Sequence, residues 1–76
     1  MKELVQFIAQ RLVDHPNQVS TEQQENENSI VVKLKVSGDD LGKVIGRHGR
    51  NAQAIRTLLA AIGAKQGKRA ILEIMQ

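Results

Sequence analysis

The sequence contains no cysteine, tryptophan or tyrosine, and it has one phenylalanine, Phe7, and one proline. The absence of cysteine excludes a disulfide, a thiolate metal site and a thiol nucleophile. With a single aromatic ring, the chain lacks the platform on which RNA-recognition-motif sheets stack bases, so that class of module is excluded. The longest uncharged apolar stretch, residues 57–64, is too short to span a bilayer, and we expect no membrane association.

What is present is typical of a small globular protein. The 76 residues are 41% hydrophobic and 25% charged, which predicts one domain over residues 1–76. A domain of this size buries about 60% of the surface of its unfolded chain, so the core is thin. The first residues, 1–4, are typical of a helix start and contain no signal-peptide pattern, which favours a cytoplasmic location.

The charge is distributed unevenly along the chain. Residues 1–40 carry four basic and seven acidic side chains, whereas residues 41–76 carry seven basic side chains and Glu73 as the one acidic residue. Such an asymmetry indicates a C-terminal half that faces a polyanion. The alternative is a solvated helix face whose cations serve solubility.

Hydrophobic periodicity predicts the element order α-β-β-α-α-β. The first helix covers residues 3–14 and ends before Pro16, because the residue before a proline avoids the α region. Residues 17–24 are a weak strand candidate, and residues 25–28 read as a hairpin loop. Residues 30–36 alternate clearly and predict a strand with four aliphatic side chains on one face, namely Ile30, Val32, Leu34 and Val36.

The second half contains two helices and a final strand. Asp39 and Asp40 close a turn and are expected to cap a short helix over residues 41–45. A longer helix starts near Arg50 and ends at Gly63 as its C-cap. Its apolar face is predicted from residues spaced three and four apart: Ala52, Ile55, Leu58, Leu59 and Ile62. Residues 65–68 form a loop, and residues 70–75 form the last strand.

The glycine-rich segment between the two helices is the candidate functional site. Its spacing, G-x-x-x-G-x-x-G from Gly42 to Gly49, fits neither a Walker loop nor a dinucleotide fingerprint. Gly46 and Gly49 leave the main chain bare, and the helix from Arg50 is expected to direct free N–H groups at this loop. With the cations of Lys43, Arg47 and Arg50, this predicts a clamp for the phosphates of a nucleic acid. The alternative is a helix-turn-helix corner whose glycines are only steric hinges.

These residues resemble a KH domain, and in particular the single-domain KhpA family of bacterial RNA-binding proteins. Val44-Ile45-Gly46-Arg47-His48-Gly49 matches the KH signature V-I-G-x-x-G, and Ile55 lies where that signature has an aliphatic residue. The stretches 41–47 and 55–59 also match the family. Ala52 departs from the pattern, since KH motifs often carry Ile there. The resemblance implies the type II KH fold, an α+β fold with a three-stranded sheet and helices packed on one face.

The resemblance also implies a function. About four single-stranded RNA nucleotides would bind with their backbone against the glycine loop and their bases in an aliphatic groove. The binding residues implied are Lys43, Val44, Ile45, Gly46, Arg47, His48, Gly49 and Arg50. For Val44 and Ile45, packing in the core is an equally good interpretation, and His48 is interpreted as a solvated loop residue rather than a ligand. Lys68 and Arg69 extend the basic rim or lie in a solvated loop.

The partners implied are single-stranded RNA and either a second copy of the chain or a second, KhpB-like KH protein. The apolar helix face with Leu58, Leu59 and Ile62 is a candidate interface, although we expect most of that face to be buried in the core. The resemblance further implies an RNA chaperone or post-transcriptional regulator linked to cell shape.

Rival functional classes have less support in the residues. No nucleophile–base pattern, metal-ligand cluster or cofactor motif is visible, so no enzyme, metal or cofactor is expected. The stronger alternative is an assembly adaptor that uses the KH fold to bind proteins.

Overall fold

The computed structural model describes all residues from 1 to 76 and confirms the element order. Three helices and three strands carry the fold: α1 Lys2–Leu12, β1 Ser20–Glu25, β2 Ser29–Lys35, α2 Leu41–Ile45, α3 Arg50–Lys65 and β3 Arg69–Met75. Single 3₁₀ turns lie at Pro16–Gln18, Gly38–Asp40 and Arg47–Gly49. None of the helices combines the length and the apolar composition needed to cross a membrane.

The sheet has the order β1-β2-β3, with β2 antiparallel to β1 and parallel to β3. Ile30, Val32 and Leu34 of β2 face the helices and are buried, as their alternation predicted. The opposite face of the sheet is uncovered, and there Lys33 lies in register between Glu22 and Glu73. Opposite charges in one cross-strand row suit a solvated face.

The core lies between this sheet and helices α1 and α3. It is built from eleven buried aliphatic residues: Val5, Ala9, Val19, Ile30, Val32, Leu34, Val36, Val44, Ile55, Leu59 and Leu72. The buried face of α3 is narrower than its sequence predicted, because Leu58 keeps 43% of its surface exposed and Ile62 is half-buried. Leu58 therefore lies outside the core.

The end of α3 differs from its prediction. The helix passes through Gly63 and ends after Lys65. Gly63 is needed for close packing, since a Cβ there would lie 2.8 Å from the carbonyl oxygen of Lys68. The left-handed glycine that turns the chain into β3 is Gly67, with φ 70°. Spacing alone could not separate the packing glycine from the turning glycine.

Candidate nucleic-acid interface

The four residues from Gly46 to Gly49 join α2 to α3 through unusual backbone angles. Gly46 has φ 80° and ψ 170°, His48 has φ 58°, and Gly49 has φ 73°. The region occupied by Gly46 is accessible almost only to glycine, whereas His48 and Gly49 lie in the left-handed helical region. Three residues with positive φ produce a sharp corner whose main chain lies at the surface.

The two glycines meet different surroundings. A Cβ on Gly46 would lie 2.7 Å from the side chain and 2.9 Å from the backbone nitrogen of Asn51. A Cβ on Gly49 would meet nothing within 4 Å. Gly46 is therefore required by packing as well as by its φ, while Gly49 leaves open space beside the main chain.

Asn51 braces the corner, and the sequence analysis did not identify it. Its side-chain nitrogen donates a hydrogen bond of 2.9 Å to the carbonyl of Lys43, which belongs to the last turn of α2. This bond satisfies a carbonyl that the end of a helix otherwise leaves unpaired. An asparagine just after a G-x-x-G turn was the available signal, but its partner lies eight residues earlier.

The expectation of free N–H donors at the start of α3 is wrong for the junction residues. The N–H of Gly49 bonds to the carbonyl of Gly46 at 3.0 Å, and that of Arg50 bonds to the carbonyl of Arg47. The N–H of Gly46 is likewise bonded to the carbonyl of Gly42. The end of α2 uses the N–H of Gly46, and the tight 3₁₀ turn uses those of Gly49 and Arg50. These donors are therefore not available to an anion, which the exposed side chains and the positive end of the α3 dipole can still attract.

Three of the predicted cationic or polar loop residues are available at the surface. Arg47, His48 and Arg50 are exposed and form no salt bridge within the chain. They surround the bare main chain of the loop. This arrangement presents positive charge where an anionic backbone has room to approach.

Lys43, the fourth predicted residue of this group, does not present a free charge at the loop. Its ammonium group lies 3.1 Å from a carboxylate oxygen of Asp14 and 3.9 Å from one of Asp40. The hydrogen bond and the charge of Asp14 raise the pKa of Lys43. The positive charge of Lys43 is thus compensated by Asp14, just after α1, and by Asp40, just before α2.

Asp40 does not cap α2 with its side chain, contrary to expectation. The carboxylate is buried and accepts the backbone N–H groups of Asp14 at 3.1 Å and His15 at 3.0 Å, together with a contact of 3.0 Å to His15 Nδ1. Burial alone would raise the pKa of Asp40, but these hydrogen bonds outweigh it and lower the pKa. The side-chain cap of the preceding turn is Ser37, which accepts the N–H of Asp39.

A groove runs from the loop along α3 and β3. Its first part, with a volume of about 480 Å³, is lined by Ile45, His48, Gly49, Ala52, Gln53, Arg56 and Ile74. Its second part, of about 440 Å³, continues past Thr57 and Ala60 towards Ala70 and Leu72, and again includes Gln53 and Arg56. Apolar side chains line this channel together with three polar or charged side chains of α3, Gln53, Arg56 and Thr57. A small residue at 52, the departure from the KH pattern, contributes to the first part.

The structure separates the two aliphatic candidates of the signature. Val44 is fully buried in the core, as the interpretation of this residue as a packing residue predicted. Its side chain does not reach the groove. Ile45 is 37% exposed and lines the groove. Gln53, Arg56 and Ile74 line the groove as well, although the sequence analysis did not name them as site residues. They come from α3 and β3, and only the packing of those elements identifies them.

The predicted basic rim, Lys68 and Arg69, carries less free positive charge than the sequence suggested. Lys68 is hydrogen bonded to Glu25 across the sheet, and this contact and the charge of Lys68 lower the pKa of Glu25. Arg69 is exposed and starts β3. Of the two predicted rim residues, Arg69 retains an uncompensated charge.

A second, apolar groove lies on the other side of α3, against α1. Ile8 and Leu12 of α1 and Ala54 and Leu58 of α3 line a depression of about 180 Å³. Asn51 lies at its edge. Because this groove has almost no polar lining, it differs in character from the channel beside β3.

Comparisons with known proteins agree on one family. The family model described as KhpA/KhpB, KH domain, matches residues 2–74. The chain is 49% identical over 75 residues to the RNA-binding protein KhpA of Clostridium perfringens, which covers 99% of this chain and 100% of that protein. It is 46% identical over 76 residues to the RNA-binding protein KhpA of Aquifex aeolicus, covering 100% of this chain and 96% of the relative. The RNA-binding protein KhpA of Listeria monocytogenes is 47% identical over the full length of both chains.

Proposed function

The chain belongs to the KhpA/KhpB family of KH domains, and from that membership and the groove we propose that it binds about four nucleotides of single-stranded RNA. The phosphates lie against the loop from Gly46 to Gly49, and the bases enter the channel between α3 and β3. The observation that carries the proposal is the bare corner beside Gly49, which opens into that channel and is surrounded by uncompensated cations.

The loop suits a sugar-phosphate backbone for steric and electrostatic reasons. The open space beside Gly49 lets a strand approach the main chain closely. Arg47 and Arg50 supply charges that no carboxylate of this chain neutralises. Phosphate contacts of this kind position a strand but carry no sequence information.

The channel suits unpaired bases. Ile45, Ala52 and Ile74 give it an apolar lining against which base faces can pack. Bases in a duplex are stacked and paired, and sequence-specific RNA recognition generally targets single strands whose bases are splayed out. Because the groove contains no aromatic ring, each base contributes less than it would by stacking, and one chain binds weakly.

We propose that affinity is raised by assembly of two copies through the apolar groove between α1 and α3. Leu58 is exposed there without serving the core of its own chain. Joining two RNA sites raises avidity by about 10² to 10⁴ without new contacts. A KhpB-like KH protein is the alternative occupant, and an assembly adaptor would use the same surface without RNA.

The cellular role that we propose for such a module is RNA chaperoning or post-transcriptional regulation in the cytoplasm. Weak contacts that bind mainly the backbone suit a protein that visits many transcripts. Crosslinking to cellular RNA followed by sequencing identifies those transcripts.

The double variant Arg47→Asp with His48→Asp tests the clamp. We expect it to lose binding to a short single-stranded RNA, because two loop positions then repel phosphates. In the unmodified protein, two or three phosphate contacts by the unpaired loop side chains predict a slope of log K against log salt of about −1.4 to −2. Binding is measured by fluorescence anisotropy at several salt concentrations, and circular dichroism checks the fold.

The matched control carries the same change of charge on the uncovered sheet face. Lys35→Glu with Gln24→Glu alters two exposed residues there and is expected to bind with nearly unchanged affinity. Undiminished binding by the loop variant, or an equal loss in both variants, would refute the clamp.

A further inference from the structure

Arg56 occupies the middle of the channel between α3 and β3. It lines both parts of the channel, and it forms no salt bridge. Its Nη2 donates a hydrogen bond of 3.4 Å to the backbone carbonyl of Leu72 on β3. One end of the guanidinium fork is therefore held by the far wall of the channel, while its other N–H donors remain without a partner in the chain.

The position of Arg56 separates it from the phosphate clamp. It lies six residues beyond Arg50, which is about 9 Å along the helix axis. The loop positions the sugar-phosphate backbone at the start of α3, so a strand that lies against the loop places its bases, rather than its phosphates, near Arg56. A planar, charged guanidinium group held beside the bases is suited to bind a base edge that offers two hydrogen-bond acceptors.

We infer that Arg56 selects guanine at one position of the bound strand, an inference that rests on the RNA-binding function proposed above. Guanine presents O6 and N7 side by side as acceptors, which an arginine fork binds with two parallel hydrogen bonds. Adenine replaces O6 with an amino donor that opposes the N–H groups of the fork. A good bidentate contact discriminates between bases by about 5- to 100-fold.

Gln53 also lines both parts of this channel, about one helical turn before Arg56. A glutamine amide pairs with the N6 and N7 edge of adenine. The hydrogen bonds of Arg56 are charge-assisted, and its fork is already oriented by Leu72. We therefore expect the channel to favour guanine over adenine. A measured preference for adenine would instead indicate that Gln53 recognises the base.

The test uses two short RNAs that differ in one base. Both are oligouridines of six nucleotides, one with a central guanosine and one with a central adenosine, and binding is followed by fluorescence anisotropy or NMR titration. For the unmodified protein, we expect the guanosine probe to bind about 5- to 100-fold more tightly. In Arg56→Gln the guanosine probe should weaken until the ratio falls to within about twofold. Arg56→Lys keeps the charge but lacks the planar fork, so it should recover only part of the preference.

Arg50→Gln is the control, because it removes a cation near the loop without touching the channel's central residue. It should weaken both probes equally and leave their ratio unchanged. Thermal unfolding followed by circular dichroism confirms that each variant is folded.

Three outcomes would overturn the inference. Equal binding of both probes to the unmodified protein excludes a base preference, while loss of binding in the loop double variant would still support the clamp. If Arg56→Gln weakens the binding of both probes equally and Arg56→Lys restores it, then Arg56 contacts a phosphate rather than a base. Absence of binding to either probe at low salt refutes the RNA-binding function and this inference together.

Discussion

Gly46 and Gly49 are both placed at positive φ, but only Gly46 is also confined by its neighbours. The sequence predicted that both glycines matter at a tight junction between helices. It could not show that Asn51 packs against Gly46, since that contact depends on how α3 folds back towards α2. The same limit applies to Val44, whose burial is decided by the sheet rather than by the signature.

Alanine substitutions should separate these requirements. We expect Gly49→Ala to lower the free energy of unfolding by about 1–2 kcal/mol, the cost of a left-handed conformation in a residue with a Cβ. Gly46→Ala should cost more than about 2 kcal/mol, because the Cβ also clashes with Asn51 and the backbone region is nearly exclusive to glycine. Chemical denaturation measures both values.

Gly42→Ala is the internal control for this comparison. Gly42 lies in α2, and a Cβ there would meet nothing within 4 Å. Alanine is the better helix former, so we expect a gain of about 0.5–1 kcal/mol. Equal losses at positions 46 and 49 would contradict the packing role of Asn51.

Among the helices and strands, the sequence correctly predicted the features that depend on short-range hydrophobic periodicity. The alternation of β2 and the buried face of α3 around Ile55 and Leu59 were correctly predicted because one partner surface determines each pattern. The role of Asp40 was not, since its hydrogen-bond partners are 25 and 26 residues earlier. This carboxylate links the end of α1 to the start of α2, and so helps to position the glycine loop.

The link through Asp40 predicts a dependence of stability on acidity. Its pKa in the folded protein is lowered from the ordinary value of 3.8. The corresponding stabilisation is therefore fully present above the unfolded value, and it is lost as the pH falls through the lower folded value. We expect the free energy of unfolding to decrease below about pH 4, measured by urea denaturation across the acid range.

Asp40→Asn should be less stable than the unmodified protein at neutral pH, and its stability should fall less steeply in acid. An amide offers one acceptor where the carboxylate offers two, and its NH₂ group opposes the backbone donors of Asp14 and His15. The exposed neighbour Asp39→Asn removes the same charge outside this link. If both variants gave the same acid profile, the link would not be the cause.

For the whole molecule, the sequence predicted an acidic first half and a basic second half, but not which charges remain free. Folding brings Lys43 to Asp14 and Lys68 to Glu25, so two of the predicted cations are neutralised. The cations around the loop stay unpaired. The sequence also placed Leu58 within one apolar face, whereas the fold divides that face between the core and the groove beside α1.

Leu58→Glu tests whether that groove holds a second copy of the chain. A charge at the proposed interface should convert the proposed dimer to a monomer, because an unpaired carboxylate is costly to bury. The monomer keeps the channel between α3 and β3 in which we propose that RNA binds, so binding to a four-nucleotide RNA should be unchanged. Binding to an RNA long enough to reach two channels should weaken by about 10²- to 10⁴-fold, since the avidity of two linked sites is lost. Sedimentation velocity measures the oligomeric state, and fluorescence anisotropy with the two RNAs measures affinity.

Ala64→Glu is the matched control, because it places the same charge on an exposed position of α3 that lines neither groove. It should remain dimeric and bind both RNAs like the unmodified protein. A Leu58→Glu variant that stays dimeric would move the interface away from the groove between α1 and α3. The unmodified protein could instead be monomeric at all concentrations and gain affinity for RNA only when a second KH protein is added. That result would assign the groove to a different chain, because the exposed Leu58 would then pack against an apolar surface of that chain.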